Sequence, residues 1–295
     1  MSRTIAIVLL VLLSVAFALA DTILLVRSSE QKTRNYRGVE VPVVLGIGLA
    51  AAVFGAALVV FSIALWRDKS PPLLIGVHAI VLVLACMVVF LGGLYDDRVH
   101  GPARGLVGHF RELFRGRVTP GIVKLVAAVA AAALVAWRSN TGIATAVIGI
   151  PVMAGATNLW NLLDVRPGRA LKYFLPLGLV LLYSARRTDY ALVAAAAMGA
   201  AVVVFPFDLG EEGMLGDAGS NLLGFVIGLG LFQVLPLWAL ALALIAIVAV
   251  HVASETVTLS RLIKSYRALR WYEELGAASP ARDDESAWWE EKAAD

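Results

Sequence analysis

Residues 73–97 read LLIGVHAIVLVLACMVVFLGGLYDD, an uncharged run that two aspartates close. From Leu73 to Leu94 it supplies the roughly 20 apolar residues that a helix needs to cross the hydrocarbon core of a bilayer. Its apolar residues do not alternate with polar ones, as a half-buried strand would require. A backbone facing lipid must satisfy its own hydrogen bonds, so the run is read as a transmembrane helix.

Eight further stretches follow the same pattern. The predicted spans are Thr4–Val26, Val41–Trp66, Leu73–Leu94, Pro120–Trp137, Thr141–Asn158, Ala170–Ser184, Tyr190–Phe205, Ala218–Leu235 and Leu237–Val252. The whole chain agrees: 60% of its 295 residues are hydrophobic and only 16% charged, with a mean hydropathy of +0.81, beyond an ordinary globular domain. The expected fold is an all-α integral membrane protein, a polytopic bundle of about nine transmembrane helices. Only Arg3 precedes the first span, whose apolar stretch is too long for a signal peptide, so it is read as a retained anchor. Around Pro236 the connection is tight. One broken helix there would lower the count to eight and put the tail outside.

Lys and Arg are retained on the cytoplasmic side of a membrane. Placing the N-terminus outside and the C-terminus inside puts 19 of the 25 Lys and Arg residues on the inner face. The net charge of +3 is thereby a topology signal, and no nucleic-acid partner is expected. Three segments result: a transmembrane unit over 1–253, an amphipathic interfacial segment over 254–276, and a disordered acidic tail over 277–295. In the second, Arg261, Lys264, Arg267 and Arg270 recur every three residues, as on a helix lying against anionic lipid or simply solvated beside the membrane. Cys86, the only cysteine, can form neither an internal disulfide nor a zinc cluster.

Polar residues gather at the inner helix ends. Asp96 and Asp97 close the third span, Asn158, Asn161 and Asp164 the fifth, and Asp208, Glu211, Glu212 and Asp217 precede the eighth, while Lys124 lies one turn into the fourth. Helix carboxyl ends favour cations and amino ends favour phosphate, so this level suits a divalent cation beside a diphosphate. Thr119-Pro120 fits an N-cap and first turn, and Gly216-Asp217-Ala218-Gly219-Ser220 a tight turn into the eighth span. Each motif alone also has a plainer reading: a solvated stop signal, a turn, a snorkelling lysine, or asparagines bonding between helices.

Their order adds to this. Leu94-Tyr95-Asp96-Asp97, Lys124, Asn158-Leu159-Trp160-Asn161-Leu162-Leu163-Asp164 and Gly216-Asp217-Ala218-Gly219-Ser220-Asn221-Leu222-Leu223-Gly224 together resemble the polyprenyl-phosphate N-acetylhexosamine-1-phosphate transferase superfamily. The likeness runs from about Asn35 to Leu275, and Ser254–Ser260 resembles the segment after the last core helix of its muramoyl branch. The resemblance implies a transferase of the bacterial inner membrane, serving cell-envelope polysaccharide or peptidoglycan synthesis, with its site facing the cytoplasm. Its substrates would be a nucleotide sugar and a polyprenyl phosphate lipid, with membrane lipids around it and a homodimer left open. The cofactor would be Mg²⁺, or Mn²⁺ in its place. The implied metal ligands are Asp217 and Asn161. The implied catalytic residues are Asp96, Asp97, Lys124 and Asp164, and Asn158, Asn161, Arg166, Gly216, Gly219 and Ser220 would contact substrate.

Two places depart from the pattern. The usual DGxDGL segment is Asp164-Val165-Arg166-Pro167-Gly168 here, with Pro167 at the second acidic position, and the histidine-rich motif of the last inner loop is absent. Two other expectations therefore stand beside the active transferase: a catalytically altered relative that binds lipid phosphate as an envelope-assembly factor, and a transporter. Transport should place ionisable groups near mid-membrane, and these spans hold almost none.

Overall fold

The computed structural model describes residues 2–30, 32–67, 77–99, 105–256, 260, 263 and 265–276. Its elements are α1 (Arg3–Ser28), β1 (Lys32–Arg34), β2 (Glu40–Pro42), α2 (Leu45–Arg67), α3 (Val77–Arg98), α4 (Gly105–Phe114), α5 (Pro120–Arg138), α6 (Ile143–Leu163), α7 (Arg169–Ser184), α8 (Tyr190–Leu209), α9 (Gly216–Val234), α10 (Leu237–Thr256) and α11 (Arg267–Glu274). Among the described residues, eight helices are long and apolar enough to cross a membrane. Each of the nine expected runs contributes a helix, but α7 has 16 residues, about 24 Å at 1.5 Å per residue, and is shorter than a bilayer core. Pro236 separates α9 from α10 as two helices.

Close approach sets the order of packing. Helices in lipid gain no hydrophobic drive from meeting one another, so small residues that bring backbones together decide which pairs pack. On α1, Ala6, Leu10, Ser14, Ala18 and Thr22 are buried at four-residue spacing, and this stripe lies against α2 and α8. At Gly46, where α2 crosses α9, a Cβ would stand 2.3 Å from the Leu215 carbonyl oxygen, and at Gly93, where α3 crosses it, 2.4 Å from the Asp217 carbonyl oxygen. Gly224 of α9 would bring a Cβ within 2.5 Å of the Ala156 carbonyl oxygen on α6. Helices α3, α5, α6 and α9 pack in sequence, with α9 closing back on α3.

Connections sharpen one end of the bundle. β1 and β2 pair antiparallel, with Thr33 opposite Val41. This hairpin is tied to the α8–α9 connection: the Met214 N–H donates to the Pro42 carbonyl at 2.9 Å, the Leu45 N–H to Met214 at 3.1 Å, and the Asn35 amide to Glu211 at 2.8 Å. The segment after α10 also returns to the bundle. Arg169, 1% exposed, donates to Ser260 at 3.1 Å and pairs with Glu273, while the Tyr272 hydroxyl donates to the Lys172 carbonyl at 2.6 Å. In the interfacial segment the helix thus covers Arg267–Glu274 and docks on α7. Arg261, Lys264, Val257–Leu259 and the 277–295 tail lie outside the described residues.

Candidate functional site

Four helix ends meet at the hairpin end, and their sequences explain how. Gly216 opens α9 with φ +67°, a left-handed conformation open to glycine, and a Cβ there would stand 2.9 Å from both Asp97 carboxylate oxygens. Close contact at Gly93 brings the last turn of α3 against this start. Asp97 then accepts the Asp217 N–H at 2.8 Å and the Ala218 N–H at 2.9 Å, one on each oxygen. It caps a helix other than its own, satisfying amides that a helix start leaves unpaired.

Lys124 reaches the same point from α5. Its Nζ lies 2.6 Å from Asp96 Oδ2 and 2.6 Å from Asp217 Oδ2, with only 14% of its side chain exposed. Pro120 begins α5 as expected, but the Thr119 hydroxyl does not cap it. It bonds His109 Nδ1 of α4 at 2.8 Å instead, and Gly121 leaves room for that ring, since a Cβ would come within 2.5 Å of Nε2.

From α6 comes the third wall. The helix continues through Leu163, so Asn158 and Asn161 both lie within it and Asp164 caps its end. Asp164 accepts the Gly216 N–H, and burial raises its pKa well above the carboxylate range, with Asp208, Asp217 and Asp97 adding to the rise. Asn158 donates its amide to His251 Nε2 at 2.9 Å. His251 Nδ1 faces the Ile247 carbonyl at 2.8 Å, which can only accept, so that nitrogen carries the proton. Asp208, expected in a loop, stands in the last turn of α8 and accepts the Gly168 N–H at 2.9 Å. Arg166 stacks on Tyr36 of the hairpin, 4.2 Å from the ring centre. A small cleft opens here among Asn35, Tyr36, Asp164, Arg166, Pro167 and Asp208.

The sequence-derived residues thereby divide. Asp96, Asp97, Lys124, Asp164, Asp217 and the Gly216 backbone come together. Gly219 serves the crossing with Gly46, 2.7 Å from its Cα to a Cβ placed there. The buried Ser220 hydroxyl donates to the Gly216 carbonyl at 2.8 Å. Amides at the start of α9, expected to face phosphate, are held by Asp164 and Asp97, which leaves Lys124 as the cation of the cluster. Sequence reasoning left Asn221 unused, although a polar residue four positions past Asp217 inside an apolar span is itself a signal.

Two carboxylates facing one point fit a hydrated hard cation, which takes one or two carboxylates and completes its shell with water and phosphate. Among the described residues no three His, Cys, Asp or Glu side chains converge as a metal cage. Asp217 and Asp96 would hold the cation, in the position that Lys124 Nζ bridges. Compared with known protein families and with curated proteins, the chain matches none.

Proposed function

We infer that the chain is a membrane phosphotransferase that moves an (N-acetyl)hexosamine 1-phosphate from a UDP-sugar to polyprenyl phosphate and releases UMP. The observation that carries this reading is the cluster of Asp96, Lys124 and Asp217, drawn from three helices to contacts of 2.6 Å at one end of an apolar bundle. Asp96, Lys124 and Asp217 supply at this end the charge that phosphate-bearing substrates require. The Lys and Arg asymmetry supports a cytoplasmic position for it, with the N-terminus outside and the C-terminus inside, an arrangement in which the 16-residue α7 also crosses, making nine spans.

In the reaction an oxygen of the lipid phosphate attacks the sugar-bearing phosphorus of the donor. A new P–O bond forms and the bridging P–O bond breaks, its electron pair leaving on UMP. Phosphoryl transfer needs mainly positioning and charge neutralisation. Lys124 supplies positive charge to the diphosphate once it leaves its carboxylate partners. Asp97 fixes the start of α9 so that Asp217 projects into the cluster, and Asp96, from α3, holds Lys124 beside it. Mg²⁺, when bound, would neutralise phosphate charge beside Asp217.

A second reading, a relative that binds lipid phosphate without turnover, rests on the Asp164–Gly168 segment, where Pro167 stands at the second acidic position of the resembled pattern. Purified protein incubated with Mg²⁺, undecaprenyl phosphate and a panel of UDP-sugars tests both. UMP release with one donor supports the transferase, and no release with any donor refutes it.

A further inference from the structure

Asn221 is wholly buried, and neither its Oδ1 nor its Nδ2 has a hydrogen-bond partner. Buried side-chain amides are nearly always bonded, so a polar pair left open asks for a ligand. Its place in the fold says which one. Four residues along α9 from Asp217, it lies one turn deeper and about 40° around the helix from it. Side chains on a helix tilt toward its N-terminus, so the carboxamide leans back toward the Asp217 turn.

Packing against α6 fixes what stands opposite. A Cβ at Gly228 would come within 2.7 Å of Met153 Cα, and one at Gly224 within 2.8 Å of Trp160 Cβ, while the Gly216 N–H reaches Asp164. The two helices therefore run antiparallel in contact. Asn221, between Gly224 and Gly216 on α9, falls level with the turn from Trp160 to Asp164, which carries Asn161.

We propose that Asn221 is a cation-site residue: its Oδ1 supplies a second α9 oxygen, one turn below Asp217, to a hydrated divalent cation held at the Asp96, Lys124 and Asp217 cluster. This rests on the phosphotransferase reading, which places a cation there. The site then has a floor of one neutral carboxamide and a rim of carboxylates. A neutral oxygen at depth adds a ligand without adding another buried charge, which would be costly among apolar helices. Asp217 keeps 26% of its side chain exposed, so the rim is open to entry.

Mn²⁺ affinity of the purified full-length chain, read by electron paramagnetic resonance without substrates, tests this. The probe is Mn²⁺ alone, against wild type, Asn221→Leu, Asn221→Asp and Asp217→Asn. Asn221→Leu is expected to weaken Mn²⁺ binding by about tenfold, a typical cost for disturbing a metal's surroundings, while Asn221→Asp, which keeps an oxygen there, binds at least as tightly as wild type. Wild-type affinity in Asn221→Leu alongside lost affinity in Asp217→Asn overturns the role of Asn221 and leaves the Asp217 site standing. Wild-type affinity in Asp217→Asn, or no Mn²⁺ binding by wild type, overturns both.

Discussion

Helices α9 and α10 are neighbours in sequence and alike in length, yet they occupy opposite environments. The best membrane-spanning window of α10 has a hydropathy of 2.4 and is 11% buried, whereas that of α9 has 1.3 and is 78% buried. The less apolar helix is the one inside. Lipid receives Trp238, Leu242, Ile245, Val248 and Val252 of α10, all exposed on the protein. Protein receives the glycines of α9, whose lack of side chains lets α2, α3 and α6 approach its backbone. In a membrane, hydropathy locates a span and small residues locate the centre. The same helix that gathers its neighbours carries Asp217 at its start, so the packing that makes α9 central also builds the cluster.

The largest way to break this contrast is to fill the α9 seam. Gly224→Leu would drive a side chain into the Ala156 carbonyl and Trp160, and is expected to cost at least about 3 kcal/mol, since backbone cannot yield as side chains do. Ala246→Leu on the exposed face of α10 is expected to stay within about 0.5 kcal/mol of wild type. Thermal unfolding in detergent compares the two, and equal midpoints would contradict the assignment of centre and edge.

A smaller loss is expected at the cap. Asp97→Ala removes two charge-assisted bonds to the start of α9, worth about 2–3 kcal/mol together. Ser254→Ala near the end of α10 gives up one hydroxyl bond to the His251 carbonyl and should lose about 0.5 kcal/mol or less. The same unfolding assay separates them.

Pro167→Asp places an acid beside the Arg166 and Tyr36 stack. It is expected to change which UDP-sugar is preferred while leaving the midpoint near wild type. An unchanged donor profile in the UMP assay would remove that position from donor recognition.

The smallest effect concerns pH. Burial and the neighbouring Asp208, Asp217 and Asp97 raise the Asp164 pKa in the folded chain, so the folded state holds this proton more tightly than the unfolded one. Its contribution to stability is fully present below the unfolded carboxylate value of about 4 and is lost as pH rises through the raised folded value. Asp164→Asn should flatten the fall of the unfolding midpoint with rising pH. A slope identical to wild type would contradict the raised value.

Sequence reading reached as far as local signals reach. Apolar runs located the helices because length and charge depletion are properties of contiguous residues, and Asp96, Asp97, Lys124 and Asp217 stood out because ionisable groups are rare beside such runs. What escaped it depends on residues far apart in the chain. The hairpin at Lys32–Pro42 is short and polar, and its ties to Glu211 and Met214 span well over a hundred positions. The bond from Asn158 to His251 joins α6 to α10, so the histidine reads as an isolated residue until the helices pack. Asn221 was visible in the quoted motif, but only burial without a partner distinguishes it from a polar residue bonded between helices. Asp208 and the docking of Glu273 on Arg169 likewise depend on where α7 begins and α8 ends.

The central claim is that the α9 start, with Asp217 in contact with Lys124, is a phosphotransfer site. Its most direct test is UMP release from UDP-sugars by the purified chain with Mg²⁺ and undecaprenyl phosphate, wild type beside Asp217→Asn. The account predicts release by wild type and its loss in Asp217→Asn, with the variant retaining the elution profile and unfolding midpoint of a folded protein. Wild-type turnover in Asp217→Asn would contradict it.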